Sequence, residues 1–380
     1  MKELVVLKIP IQYKESRIEI KSVGENGGKY LAYTGRSPFY PEGKGGQLGD
    51  KGKIGSAEVL NVKEHEEGYI IELSNKIEPG VYEISIDQLR RKDIAQQHTG
   101  QHILSAAFVE VADIETVSFH MGEEYSTIDL DIPFIEQDVI SEAEDIANRI
   151  VQSCLAVEEI MTDYEGARTY NLRKPVSDKV KGEVRLIKIG DFDISACGGF
   201  HTENTGEVGL IKIIDIEKVK GNLTRIYAIA GQRALRYFRK YNVVLKELSR
   251  QLTSSIDELN LRTEKLINQL REQSSVLSKI SQDYAQLLSD SLGENAFIYM
   301  EGYTEVGNFL AKKIKDTFLV YFDGSKYIIA SKMYDVRVFV NKLIETYGGK
   351  GGGKPEFANY QVNKKLTSKE LELLFRETYN

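Results

Sequence analysis

The sequence predicts a multidomain α+β protein, and three observations carry that expectation. Short alternating runs separated by glycine, asparagine and proline fill the chain up to about Ile86. Helical and strand periodicities then alternate as far as Gly231. From there to Gly293 neither glycine nor proline occurs, in a chain that holds 32 glycines, and the pattern reads as a long helix. The expected layout is a small β-barrel over 1–88, a central α+β domain over 89–231, a long coiled-coil-like helical segment over 232–293 and a C-terminal α/β domain over 294–380. A length of 380 residues with 41% hydrophobic content is enough for several cores.

The net charge of −7 excludes a protein that is basic throughout, so any nucleic-acid contact must come from local patches. Two cysteines argue against a disulfide framework and for a reducing compartment. The N-terminal MKELVVLKIPIQYKES has no long apolar core or small-residue cleavage site, and no later apolar run approaches membrane-spanning length. The expectation is a cytoplasmic protein without a membrane partner.

In the first domain LVVLKI, RIEIKSV, YLAYTG, SAEVLNVKE, GYIIELS and VYEISI read as strands. Among them lies FYPEGKGGQLGDKG, from Phe39 to Gly52. Its glycines allow backbone N–H groups to approach a phosphate or carboxylate, or they make a flexible hairpin connection.

The central domain opens with QQHTGQHILSAAF, in which His98 and His102 lie four apart on one face of an amphipathic helix. Further on, CGGFH places Cys197 and His201 on a tight glycine bend. Three of the five histidines and one of the two cysteines fall in these two spans, a donor set that suits tetrahedral zinc. TVSFHMGEEYSTIDLDIPF alternates as strands, with His120 either directed into a metal cleft or on the surface. Ile140, Ala143, Ile146, Ala147, Ile150 and Val151 form a helical stripe, and Cys154 near its end reads as a core residue. Asp191 and Asp193, just before the cysteine motif, are either partners that orient an imidazole or solvent-facing turn carboxylates.

In the third segment Leu245, Leu252, Leu259 and Leu266 recur every seven residues and continue as Ile280 and Leu287. Ile256, Leu270, Leu277 and Tyr284 form an offset series, with Ser249, Thr263 and Gln273 as interruptions. This approximates a coiled-coil seam on a long helix or helical hairpin, closed by a second copy or within the chain. The last domain alternates strands and helices, carries GGKGGGKPEFANYQVN and closes with a helix from Ser368 to Tyr379. Its glycine-rich loop, near Lys342, Lys350 and Lys354, suits a phosphate or RNA backbone, although glycine runs also serve as linkers.

HTGQHILSAAF and ISACGGFHTENTGEVGLIKI resemble the HxxxH and CxxxH elements of the editing domain of alanyl-tRNA synthetases and of the free-standing AlaX proteins. FYPEGKGGQLGDKG resembles the glycine-rich loop ahead of that domain, and GGKGGGKPEFA resembles the glycine motif of the C-terminal domain shared with DHH phosphoesterases. Together these span nearly the full length in the order seen in long-type AlaX proteins. The resemblance implies a central editing domain with Zn2+ held by His98, His102, Cys197 and His201. It implies a catalytic or substrate-binding cleft drawing on His98, His102, Ser118 and His120, with Gln47, Asp50 and Phe200 beside the substrate. It implies RNA contacts from Gly348, Gly349, Lys350, Gly351, Gly352, Gly353 and Lys354. The implied partner is tRNA(Ala) mischarged with serine or glycine, met by a homodimer joined through the helical segment and C-terminal domain.

Three departures stand out. Lys44 occupies the place of the first of three family glycines, Phe200 replaces the threonine of the family's CGGTH, and the last glycine motif continues as Ala358, Asn359, Tyr360 and Gln361. A complete alanyl-tRNA ligase is expected to need a much longer chain, no P-loop occurs, and the DHH catalytic cluster is absent. The activity expected is a zinc-dependent aminoacyl-tRNA deacylase. The alternatives are a non-catalytic RNA-binding module with structural zinc, or a zinc hydrolase of small amino-acid esters.

Overall fold

The computed structural model describes residues 16–177, 182–292 and 296–379. The strand expected at 4–9 and the expected domain boundary at 293–294 lie outside the described residues. The chain divides into two compact units, 1–244 and 245–380.

Alternating patterning builds the start of the first unit. Strands β1 (Arg17–Ile20), β2 (Ser22–Asn26), β3 (Lys29–Thr34), β4 (Gly52–Ile54), β5 (Ala57–His65), β6 (Gly68–Leu73) and β7 (Gly80–Ile86) form one antiparallel sheet in the order β1-β7-β4-β5-β6-β3-β2. β1 also packs back against β3, so the sheet curls. Ile18, Ile20, Ala32, Val59, Val62, Ile71 and Leu73 fill its interior at the strand period of two, interrupted by a register shift between Val59 and Val62.

Asp87 then starts α1 (Gln88–Ala112), its side chain accepting from Arg90 N, and Asp113 ends it in a left-handed conformation. The helix is buried nearly all round from Ile94 to Phe108, because sheets and loops cover several of its faces. After it come β8 (Thr116–Met121), β9 (Ser126–Leu130), α2 (Gln137–Gln152), β10 (Val157–Thr162), α3 (Tyr164–Ala167), β11 (Val184–Ile189), β12 (Asp193–Ala196), β13 (Ile211–Val219) and β14 (Leu223–Ala230). The strands make two sheets, β10-β11-β12 and β13-β14-β9-β8. Leu104, Phe108, Ile128, Ile146, Ile187 and Ile226 join both helices and both sheets in one core. The expected α2 stripe is buried at Ile140, Ala143, Ile146, Ala147 and Val151. Cys154, expected in that core, is instead exposed. The helix ends at Gln152, and a left-handed turn at Cys154 (φ 49°) carries the chain off the buried face.

The glycine- and proline-free segment holds two helices, α4 (Gly231–Leu252) and α5 (Leu259–Ser291), in place of one continuous helix. Thr253 at φ 50° breaks the path, and Ser249 serves as the hinge acceptor, its carbonyl taking Ser254 N at 3.0 Å while its hydroxyl bonds back to Ser254 O. Local serine and threonine hydrogen bonding ends a helix without glycine or proline.

The second unit continues with β15 (Phe297–Glu301), α6 (Thr304–Lys313), β16 (Phe318–Phe322), β17 (Tyr327–Ala330), α7 (Val336–Tyr347), β18 (Lys350–Lys354), β19 (Phe357–Gln361) and α8 (Ser368–Tyr379). The sheet order is β15-β16-β17-β19-β18, with only β15–β16 parallel. The glycine-rich stretch expected as a loop is therefore an edge strand. Glycine is needed there for close approach: a Cβ on Gly351 would lie 2.7 Å from Asn359 O and 2.8 Å from Val340 Cγ1. α5 packs on α6 through Ala285, Val306 and Leu310. Its seam positions Leu270, Leu277, Ile280, Tyr284 and Leu287 are each more than half exposed. No described helix is long and apolar enough to cross a membrane.

Candidate metal centre

The helical spacing of α1 and the loop after β12 bring His98, His102, Cys197 and His201 together, one donor atom from each lying within 4.8 Å of the others. The three histidines are buried and Cys197 is partly so. Cys197 Sγ stands 3.3 Å from His98 Nε2 and 3.3 Å from His201 Nε2. Bonds of about 2.0–2.3 Å in a tetrahedral zinc site place neighbouring donors about 3.3–3.6 Å apart, so the residues present fit a zinc-sized cation.

Each histidine turns its other nitrogen outward to an oxygen. His98 Nδ1 meets Gln47 Oε1 at 2.9 Å, His201 Nδ1 meets Thr99 Oγ1 at 3.1 Å, and His102 Nδ1 faces Asp193 Oδ2 at 3.4 Å. Such contacts orient a ring and set which nitrogen is free for a metal. Asp193 thus faces His102 at ion-pair distance without a formed hydrogen bond, in the place of the orienting partner considered from sequence, whereas Asp191 stays solvent-facing beside Lys188.

The electrostatics favour a cation. Burial opposes ionisation of Cys197, but His98, His201 and His102 outweigh it and hold the thiol well below its usual range. Burial pushes His201 down to about 3, against the pull of Cys197. Burial also disfavours charge on His102, yet Asp193 and Cys197 lift it to about 9. A thiolate balanced by one imidazolium is a site in which a cation replaces a proton.

Gln47 is fully buried; its Oε1 also accepts from Phe200 N at 2.9 Å, and its Nε2 has no hydrogen-bond partner among the described residues. The other expected substrate residues lie elsewhere. Asp50 is buried against Arg91 and accepts from Tyr40 N at 2.8 Å, which pins the glycine-rich loop to α1. Phe200 points into a cluster with Tyr40, Leu48, Ile94 and Met121, under the Arg91 guanidinium 4.6 Å from its ring. Lys44 pairs with Glu64 at the loop's outer edge. Ser118 and His120 are exposed, on the face of β8 that pairs with Asp129 and Thr127 of β9. Ser118 donates to Asp129 Oδ2 at 2.6 Å, and Arg225 holds the same carboxylate. Phe119 between them takes the facing position, stacked on His98 at 5.4 Å.

Two contributors escaped the sequence reading. Thr99, whose hydroxyl holds His201 and accepts from Thr202 N at 3.0 Å, sits inside the histidine motif itself. Arg185, a buried arginine on β11, donates from Nη1 to the carbonyls of Cys197 at 2.9 Å and Gly199 at 2.8 Å and pairs with Glu159. The available signal is the position of Arg185 between Val184 and Leu186 in a run whose other cation, Lys188, lies near its end.

Residues 184–227, which carry Arg185 and the whole cysteine motif, match the profile of the threonyl and alanyl tRNA synthetase second additional domain. The alanyl-tRNA editing protein AlaX-L of Pyrococcus horikoshii is 29% identical, over 96% of this chain and 96% of its own length. The chain is a relative of the free-standing AlaX-type proteins. The alanyl-tRNA editing protein Aarsd1-B of Xenopus laevis is 28% identical over 93% of this chain and 91% of its own. An alanine–tRNA ligase of Caldicellulosiruptor saccharolyticus is 30% identical over 87% of this chain, which spans only 41% of that ligase. Within this AlaX-type framework the Phe200 departure leaves the donor set intact, because its ring is turned away from it.

Proposed function

We propose that the protein is a trans-acting hydrolase that deacylates tRNA(Ala) mischarged with serine or glycine, with Zn2+ held by His98, His102, Cys197 and His201. The observation that carries this reading is the convergence of four donors from two distant motifs at one buried point, in a chain matched along almost its whole length by proteins named alanyl-tRNA editing proteins. The bound ion would supply positive charge to anchor the substrate's amino or carbonyl group. Gln47 orients His98 through Oε1, while its Nε2 is free to donate to a substrate carbonyl or hydroxyl oxygen. A buried donor of this kind favours a serine hydroxyl over an alanine methyl, a form of recognition that reaches roughly 10⁴–10⁵ in discrimination. His201, kept neutral by its surroundings, and the Cys197 thiolate complete the donor set. The exposed β18 edge, with Gly348–Gly349 before it and Lys350 and Lys354 at its ends, is the proposed RNA contact. The unpaired α5 seam is the proposed homodimer face.

The deciding experiment is deacylation of seryl-, glycyl- and alanyl-tRNA(Ala) by purified protein beside Cys197→Ala, with metal content recorded. Release of serine with alanine spared, lost in the variant, supports the hydrolase. No release by folded, zinc-loaded protein overturns it. One observation favours the second reading, an RNA-binding module with structural zinc: four side chains converging on one point suffice to fill a tetrahedral ion, leaving no position for water. That reading predicts aminoacyl-tRNA binding without turnover.

A further inference from the structure

We propose that Arg173 is a positioning residue for the metal centre, acting through Asp193 on His102. The inference rests on the reading that the four-residue cluster holds a divalent cation. The three histidines are not held alike: His98 leans on an amide oxygen and His201 on a hydroxyl, whereas His102 faces a carboxylate. That carboxylate is fully buried, and a buried charge is tolerated only when paired and hydrogen-bonded. Its partner comes from outside both metal motifs, on the connection between α3 and β11.

Arg173 is pinned to β12 at three levels. Its backbone N donates to Ile194 O at 3.0 Å, its Nε to Asp193 Oδ1 at 2.8 Å, and its Nη2 to Ser195 Oγ at 3.1 Å. Ser195 Oγ stands 3.2 Å from each Asp193 oxygen. The guanidinium fork and the serine hydroxyl therefore fix the rotation of the carboxylate, and Oδ2 is left to face His102. A carboxylate free to turn would not hold the ring, and a tilted ring withdraws its inner nitrogen from the cluster. Planar, forked donation is the property lysine lacks.

The test uses the full-length protein, Co2+ as the probe, and two readouts besides activity: Co2+ affinity by competition with a chelator, and the thiolate-to-cobalt and ligand-field absorption bands. Arg173→Met and Asp193→Asn should each weaken Co2+ binding about 10- to 100-fold and shift the bands. Their combination should be no worse than the more severe single change, because both break one link. Arg173→Lys, which keeps the charge and loses the fork, should fall between parent and Arg173→Met, and it carries the test if the methionine variant does not fold. Parent-like affinity and spectrum in the Arg173 variants, with only a lower melting temperature, would reduce Arg173 to a structural stitch and overturn the inference alone. Failure of the parent to bind Co2+ with a thiolate band would overturn the metal reading as well.

Discussion

Replacing Gly199 with alanine tests the centre at its tightest point. A Cβ built there would lie 2.2 Å from His98 Cε1, 2.3 Å from His98 Nδ1 and 2.4 Å from Gln47 Oε1. Carbon contacts relax at about 3.5 Å, so the His98 ring or the loop has to retreat by roughly 1 Å. Metal–ligand distances tolerate about 0.2 Å, several times less than that displacement. His98 also loses the Gln47 contact that sets its free nitrogen. Gly199→Ala should therefore lose zinc affinity by about 10- to 100-fold and lower the melting temperature. Gly198 is the internal control: a Cβ there meets nothing within 4 Å, and its backbone is not left-handed. Gly198→Ala should stay within about 0.5 kcal/mol of the parent. Competition with a chromophoric chelator, read beside thermal unfolding, separates the two. Parent-like zinc affinity in Gly199→Ala, or equal losses in both variants, would refute the steric reasoning.

Three further outcomes are expected. Asp50→Ala strands the Arg91 guanidinium in a site where both side chains are fully buried; it should cost about 3–5 kcal/mol in urea unfolding, and a loss below 1 kcal/mol would show that the pair does not hold the loop. In metal-free protein His102 is raised to about 9 while the Cys197 thiol is held well below its usual range, so between the unfolded values of about 6.5 for histidine and 8.5 for cysteine the proton the ring gains on folding matches the one the thiol loses, and the two contributions offset each other. Melting temperatures of chelator-treated protein should stay level across that window, while those of zinc-loaded protein should rise, because zinc takes the thiolate and the neutral rings and folding then releases the thiol proton; a metal-free profile that falls steeply there would remove the imidazolium–thiolate account. Leu277→Glu, at the centre of the exposed α5 seam, should halve the mass seen by sedimentation equilibrium, and an unchanged dimer or a monomeric parent would assign the seam another role.

Much of the centre could be read directly from the chain, for a local reason. A spacing of four on a helix puts His98 and His102 on one face wherever the helix packs, and two glycines between Cys197 and His201 dictate a bend, so the donor pairs are properties of short segments. The α2 stripe was equally local. Strand facing was harder to read, because a shift of one residue exchanges the two sides of a sheet. Ser118 and His120 were the polar choices on β8, yet the register with β9 gives the inward position to Phe119. Helix ends are also hard to read: the segment expected as a long helix or helical hairpin divides after α4, and Cys154, expected in the core, turns outward, through serine hydrogen bonds and left-handed residues rather than glycine or proline.

What the sequence by itself determined is the donor set and the order of the elements that carry it, because both depend on spacings within a few residues. What only the tertiary structure decided is which groups support that set. Gln47, Thr99, Asp193, Arg173 and Arg185 act across separations that no local periodicity encodes, and Asp50 and Phe200 were drawn from the substrate side into packing by one buried guanidinium. Burial is the physical reason: removing water forces each buried charge or polar atom to find a partner, and the partner is whichever distant segment the fold brings there.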